Sequence, residues 1–156
     1  LACLLLGGCA TATKWPGGSP DFTLTGEAAR QETDRYSFAP LSVPAFYAPL
    51  GYAVGPRERR YEFESLYPLI KTATPRTAIR ARRLLGKQRL NKTVGWIALA
   101  LGQAGRRIVQ GVGLASGAWW LGRHLWIRWE VARLAPQYNR ELGERFAPRF
   151  SLVHRF

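Results

Sequence analysis

The sequence predicts a mainly α-helical protein: a glycine-rich antiparallel helical hairpin with long basic arms, preceded by an extended, proline-rich N-terminal segment. Three observations predict it. Two uncharged runs, Val94 to Ala104 and Ile108 to Leu121, flank the arginine pair Arg106 and Arg107, the natural place for a helical hairpin to turn. Glycines recur through and beside both runs, at Gly95, Gly102, Gly105, Gly111, Gly113, Gly117 and Gly122. Each interior glycine costs a helix roughly 0.5–1 kcal/mol relative to alanine, so something must offset them, and close approach between helices is the usual candidate. Ahead of residue 57, Pro40, Pro44, Pro49 and Pro56 exclude any long helix.

From these signals the chain divides into residues 1–8, a leader remnant; 9–56, a tether; 57–145, the hairpin domain; and 146–156, a C-terminal tail. The leader, LACLLLGGCA, has no initiating Met and no basic start, as expected of a sequence that begins inside a longer reading frame or at an unusual start codon. Leu4, Leu5 and Leu6 close an apolar stretch, and Leu6-Gly7-Gly8-Cys9 follows it. This stretch resembles the end of a bacterial lipoprotein signal peptide, with Leu6-Gly7-Gly8-Cys9 as the lipobox. The resemblance implies cleavage after Gly8, thioether lipidation and acylation at Cys9, and a lipid-anchored place in the bacterial cell envelope, at the periplasmic face of the outer membrane. It covers only this short stretch and implies nothing about the mature fold. Cys3 would leave with the leader, so the two cysteines form no disulfide framework.

Pro16, Gly17, Gly18, Ser19 and Pro20 read as a flexible tether. The prolines that follow are interleaved with aromatics, among them Tyr36, Phe38, Phe46, Tyr47 and Tyr52, too many for plain disorder. An extended segment with a short helix from Gly26 to Tyr36 fits this pattern. Its aromatics lie either on a partner or on the chain's own helices, and composition does not choose between them.

Helical periodicity starts near Arg57. Arg59 to Thr74 predicts a short helix presenting Phe63, Leu66 and Ile70 and stopped by Pro75. From Arg76 a longer helix carries Arg76, Arg80, Arg83 and Lys87 on one narrow stripe. Such a stripe is either a solvated face or a set of cations for anionic headgroups, with Arg106 and Arg107 at the hairpin tip as further headgroup ligands. In the second arm, Gly113 with Gly117 and Gly111 with Ala115 supply small-xxx-small pairs for helix packing. Val112, Ala115, Trp119, Gly122, Trp126, Trp129 and Arg133 trace a stripe expected to pack back on the first arm. A fold about residues 105–107 places Trp96, Trp119 and Trp120 in one layer, with Trp126 and Trp129 further out, as interfacial aromatics. From Lys92 to Arg106 a helix rises about 21 Å, short of a bilayer core of about 30 Å, so the hairpin is expected to enter one leaflet or to cross a thin outer membrane with its tip among phosphates. After Trp129, Pro136 is expected to kink or end the helix. Arg140, Glu141, Glu144 and Arg145 read as plain helix surface. The tail offers Phe146, Phe150, Leu152 and Phe156 as docking points.

The 23 Lys and Arg against 10 Asp and Glu give a net charge of +13 and a pI near 10.9. Between Glu64 and Glu130 there is no acidic residue, so the surplus is local to the hairpin and its approach, and it implies an anionic partner surface. Signals for catalysis are thin. His124 and His154 have no ligand-spaced companions, Gly111, Gly113 and Gly117 miss the dinucleotide spacing, and no nucleophile elbow is present. The sequence therefore predicts no enzyme, metal or cofactor. It predicts a structural or assembly subunit of an envelope complex, with membrane lipid and other protein subunits or copies of itself as partners. The alternative is a soluble basic helical protein that binds an acidic protein or nucleic acid, nucleic acid being the less expected because of the apolar leader.

Overall fold

Two long helices, Pro75–Gly102 and Arg107–Ala132, dominate the computed structural model, which describes residues 13–40, 50–56, 59–102 and 107–150. In chain order the elements are α1 (Gly26–Tyr36), β1 (Phe38–Pro40), β2 (Gly51–Val54), β3 (Arg59–Glu62), α2 (Phe63–Ala73), α3 (Pro75–Gly102), α4 (Arg107–Ala132) and α5 (Leu134–Phe150). The protein is mainly helical, with one small antiparallel sheet in the order β1-β2-β3. Leader residues 1–8, Cys9, the hairpin turn at 103–106 and residues 151–156 lie outside the described residues.

The described aromatics of the N-terminal segment, among them Tyr36, Phe38 and Tyr52, pack into the chain's own core, while Phe46 and Tyr47 lie outside the described residues. The segment's short helix is α1, at the expected bounds, while the strands were not anticipated. Phe38 of β1 stacks on Tyr52 of β2 at 4.9 Å and on Tyr138 of α5 at 3.8 Å, and Tyr52 meets Phe63 edge-on. The core therefore crosses the boundary expected at residue 56. It joins these rings to Leu66, Leu69 and Ile70 of α2, Leu84 of α3, Ile127 and Val131 of α4, and Leu134, Leu142 and Phe146 of α5. Burial pushes both the Tyr52 and Tyr138 phenols up from 10, and Tyr52 donates its hydroxyl hydrogen to the Val131 carbonyl.

Local chemistry explains the sheet. Gly55, at φ +70°, turns β2 into β3 where a Cβ would sit 2.6 Å from the Arg35 carbonyl oxygen. Each edge is closed. Thr13 pairs with the outer side of β3, donating its N–H to Arg60 and accepting from Glu62. On β1 the Asn139 side chain imitates a strand, accepting from the Phe38 N–H and donating to the Phe38 carbonyl, both at 2.8 Å. A sheet this small offers no free ladder to another chain at those positions.

Several helix limits differ from expectation for identifiable reasons. Arg59–Glu62 pairs with β2 and is strand, so α2 begins only at Phe63. Pro75 opens α3, its missing N–H being no loss in a first turn. The chain breaks at Arg133, before Pro136, which sits in the first turn of α5. That helix runs on to Phe150, so the start of the expected tail is helical, and Phe146 docks fully buried against Phe22.

Glu141 corrects the expectation of plain helix surface. It is buried, and its carboxylate accepts the N–H groups of Arg76 and Thr77 at 2.8 Å and the Thr77 hydroxyl at 2.7 Å, capping α3. One turn on, Arg145 donates to the carbonyls of Thr72 and Ala73 at the end of α2. Charge-assisted bonds of this kind contribute about 1.5–3 kcal/mol. Glu141→Ala should lower the unfolding free energy in urea by about 3 kcal/mol, whereas Glu144→Ala, which removes only an exposed 3.7 Å pair with Arg76, should change it by less than about 0.5 kcal/mol.

Candidate functional site

α3 and α4 lie side by side and antiparallel, as three pairings in reverse order show. Arg80 meets Glu130 at the root, Lys87 meets Trp126 further out, and Gly95 meets Trp120 further still. The seam between the arms is made of small or polar groups: Asn91, 2% exposed, with Ala98 on α3, and Gly113 on α4. At Gly95 a Cβ would stand 2.5 Å from Trp120 Nε1, so this glycine makes room for the Trp120 indole of the facing arm. Trp120 in turn stacks on His124 at 5.3 Å. Burial holds the Arg128 guanidinium below its ordinary range.

Large apolar side chains point the other way. Trp96 is 73% exposed and Leu114 76%, and Ile97, Leu99 and Val112 are each more than half exposed. No charged residue lies between Thr93 and Leu101 on α3 or between Gly111 and Leu121 on α4. The outer hairpin is therefore inverted relative to a water-soluble helix pair, which keeps its bulky apolar residues inside. No helix among the described residues is long and apolar enough to cross a membrane.

Comparison of the chain with known protein families, curated proteins and solved structures gave no match. The site is therefore described from its own residues. Of the basic stripe, Arg76 makes only an exposed 3.7 Å pair with Glu144, whereas Arg80 is held by Glu130 at 2.5 Å and by Gln137 at 3.1 Å and serves the fold. Arg83 is exposed with no ion pair among the described residues, and exposed Lys87 places its Nζ 4.5 Å over the Trp126 ring. Arg107 is the first residue of α4, and Arg106 lies outside the described residues.

The small-residue pairs divide likewise. Gly113 is buried in the seam, but a Cβ at Gly111 or Gly117 would meet nothing within 4 Å, and Ala115 is exposed. The stripe from Val112 to Arg133 also faces outward: Val112, Trp119, Trp126 and Trp129 are each at least two-fifths exposed. Both sides of α4 are apolar, so periodicity could not choose between them. The seam side is the one that continues into Ile127 and Val131, where the core begins. The aromatic layer forms in level but not in face, because Trp120 enters the seam while Trp96 and Trp119 face out. Gly95 was counted among the glycines without being singled out, and its partner's position, reachable only once the turn is fixed, carried the signal.

Two concave surfaces stand out. One, of about 480 Å³, lies between α1 and the sheet and is walled by Trp15, Tyr36 and Tyr61 packed edge to face. The other, of about 550 Å³, lies on the hairpin between Lys87, Trp119, Arg123 and Trp126. Among the described residues, no three His, Cys, Asp or Glu side chains are grouped so as to hold a metal ion.

The seam makes opposite predictions for glycines on one hairpin. Gly95→Ala should displace Trp120 from His124 and destabilise the fold by about 1–3 kcal/mol, while Gly117→Ala, into open space, should stabilise it by about 0.5–1 kcal/mol. Urea unfolding in the absence of lipid measures both; equal effects at the two sites would refute this account of the seam.

Proposed function

We propose that the chain is a non-catalytic, membrane-associated assembly subunit whose helical hairpin dips into a bilayer. The observation that carries this reading is the outward exposure of Trp96, Ile97, Leu99, Val112 and Leu114 on uncharged arms that hold small residues between them. Water is a poor solvent for such a surface, and an apolar patch of this kind marks a membrane or protein contact. The charge pattern favours lipid. Lys92 and Arg123 bound the uncharged stretch at one end, Arg107 begins α4 at the other, and the helical residues 93–102 between them rise about 15 Å along the first arm. A core of about 30 Å exceeds that length, so the hairpin enters obliquely and its cationic side chains reach back to phosphates. Trp126 and Trp129, half exposed near the root, suit the headgroup boundary. The open face at Gly111 and Ala115, one turn apart on α4, supplies a surface for a helix of another subunit or a second copy.

Vesicle flotation tests the reading. The full chain should float with phosphatidylcholine vesicles in high salt and require detergent for release, and Trp96→Glu with Leu114→Glu should abolish flotation without changing the circular dichroism spectrum. Release by salt alone would instead favour a soluble basic protein with an acidic or nucleic-acid partner.

In this reading Cys9 is a second, covalent anchor, and the chain resides in a bacterial envelope at the periplasmic face of the outer membrane. One inserted element or one acyl chain holds a protein marginally, and two signals hold it firmly. Protein purified from membranes of a bacterial host should carry the mass of acylation, lost in Cys9→Ala; an unmodified Cys9 in protein that has kept the upstream leader would remove the anchor.

A further inference from the structure

One line along α3 changes character part-way. Arg76, Arg80, Arg83 and Lys87 are followed, at the same alternation of four- and three-residue steps, by Leu90, Val94, Ile97 and Leu101. Residues so spaced share a helix face, so a basic stripe becomes an apolar one just after Lys87. At that change α4 brings in Trp119, Arg123 and Trp126, and the groove of about 550 Å³ opens over a floor of Ala118 and Gly122. Its size is within the range of small-molecule sites.

Two cations face this groove, each set over an indole: Lys87 Nζ lies 4.5 Å from the Trp126 centroid, and Arg123 Cζ lies 5.0 Å from that of Trp119. Arg123 Nε is buried with no acceptor among the described residues. No carboxylate lines the groove, and the one acid of α4, Glu130, is already engaged by Arg80. Two uncompensated positive charges between low-dielectric indole walls attract an anion strongly. A free anion would leave the adjoining Leu90, Val94 and Ile97 uncovered. An anion carrying a hydrocarbon chain covers both.

We propose that the groove binds the phosphate of an anionic lipid headgroup, with an acyl chain laid along Leu90, Val94 and Ile97 toward the hairpin tip. This rests on the membrane-dipping reading and names the lipid chemistry that the hairpin selects. Lys87 and Arg123 hold the phosphate oxygens, Trp119 and Trp126 flank the glycerol, and the small floor at Ala118 and Gly122 admits it. The groove lies where charged residues resume beside the uncharged arms, the level at which hydrocarbon gives way to headgroups.

Tryptophan fluorescence of the full chain is followed on titration with phosphatidylcholine vesicles, with vesicles that also contain phosphatidylglycerol, with soluble short-chain phosphatidylglycerol, and with inorganic phosphate. Wild type should prefer the vesicles with phosphatidylglycerol and respond saturably to the short-chain lipid but not to inorganic phosphate. Lys87→Gln with Arg123→Gln should weaken binding to the anionic vesicles about 25-fold, at about fivefold per charge, and leave binding to phosphatidylcholine unchanged. Arg30→Gln with Arg140→Gln, which removes the same charge from α1 and α5, should weaken it by no more than about twofold. If the double groove variant loses its helical circular dichroism, Lys87→Gln and Arg123→Gln taken singly carry the test. Equal losses in the two double variants, or an equal response to inorganic phosphate, overturns the site. Equal wild-type affinity for the two vesicle types overturns it and leaves the membrane reading standing. Saturable binding of the short-chain lipid without vesicle binding supports the groove and overturns the membrane reading.

Discussion

Glu141 and Arg145 stand one turn apart on α5 and act on the two sides of a single corner. The carboxylate takes the N–H groups with which α3 begins, and the guanidinium takes the carbonyls with which α2 ends. Each charge is opposite in sign to the helix end it meets. Only Thr74 separates the two helices, so their terminal groups have little chain of their own with which to satisfy themselves, and α5 satisfies them instead. The direction of a 28-residue helix depends on this corner. Over its length of about 42 Å, a tilt of about ten degrees at the corner would carry the far end about 7 Å sideways. Little further out on α3 could correct that, because beyond Leu85 the arm rests mainly on its antiparallel neighbour, with the exposed Arg89–Glu64 pair as a tie back to α2.

The hairpin thus has a root and a free part governed by different packing. At the root, Ala81, Leu84, Ile127 and Val131 belong to the common core, and the Val131 carbonyl receives the Tyr52 hydroxyl. Further out, the arms hold each other through Asn91, Gly95, Ala98 and Gly113, with Trp120 fitted against Gly95, and turn their larger residues outward. Small residues inside and bulky ones outside is how helices pack where the surroundings are as apolar as the side chains, since close backbone approach and dispersion then hold them together.

Much of this was legible in the sequence because it is local. Helical period, the arginine pair between two uncharged runs, and the glycine spacing all follow from neighbours a few residues away, and they yield the long helices and the relative level of Trp96 and Trp119. The helix over Gly26–Tyr36 was readable for the same reason. What escaped depends on distant pairs. Arg59–Glu62 is strand because β2 lies beside it, and Asn139 closes β1 across a separation of 101 residues. Glu141 has the sequence surroundings of any exposed acid, and only the arrival of Thr77 beside it makes it a cap. The division of the basic stripe into Arg80, which serves the fold, Arg76, which makes only an exposed pair, and Arg83 and Lys87, which make no ion pair among the described residues, has the same origin, since Glu130 and Glu144 are far away in the chain.

That division explains where the net charge of +13 resides. The carboxylates nearest the hairpin are committed to internal contacts: Glu64 to Arg89, Glu130 to Arg80, Glu144 to Arg76, and Glu141 to the start of α3. The cations left over, among them Arg82, Arg83, Lys87 and Lys92, are exposed along the approach to the uncharged arms. Such an excess works against the compact state through mutual repulsion, and a domain evolved for stability alone would intersperse acids among them. An anionic surface beside the root would relieve that repulsion, and hydrocarbon beyond it would relieve the exposure of Trp96 and Leu114. The two demands sit next to each other on one helix, and the proposed lipid leaflet would meet both in that order.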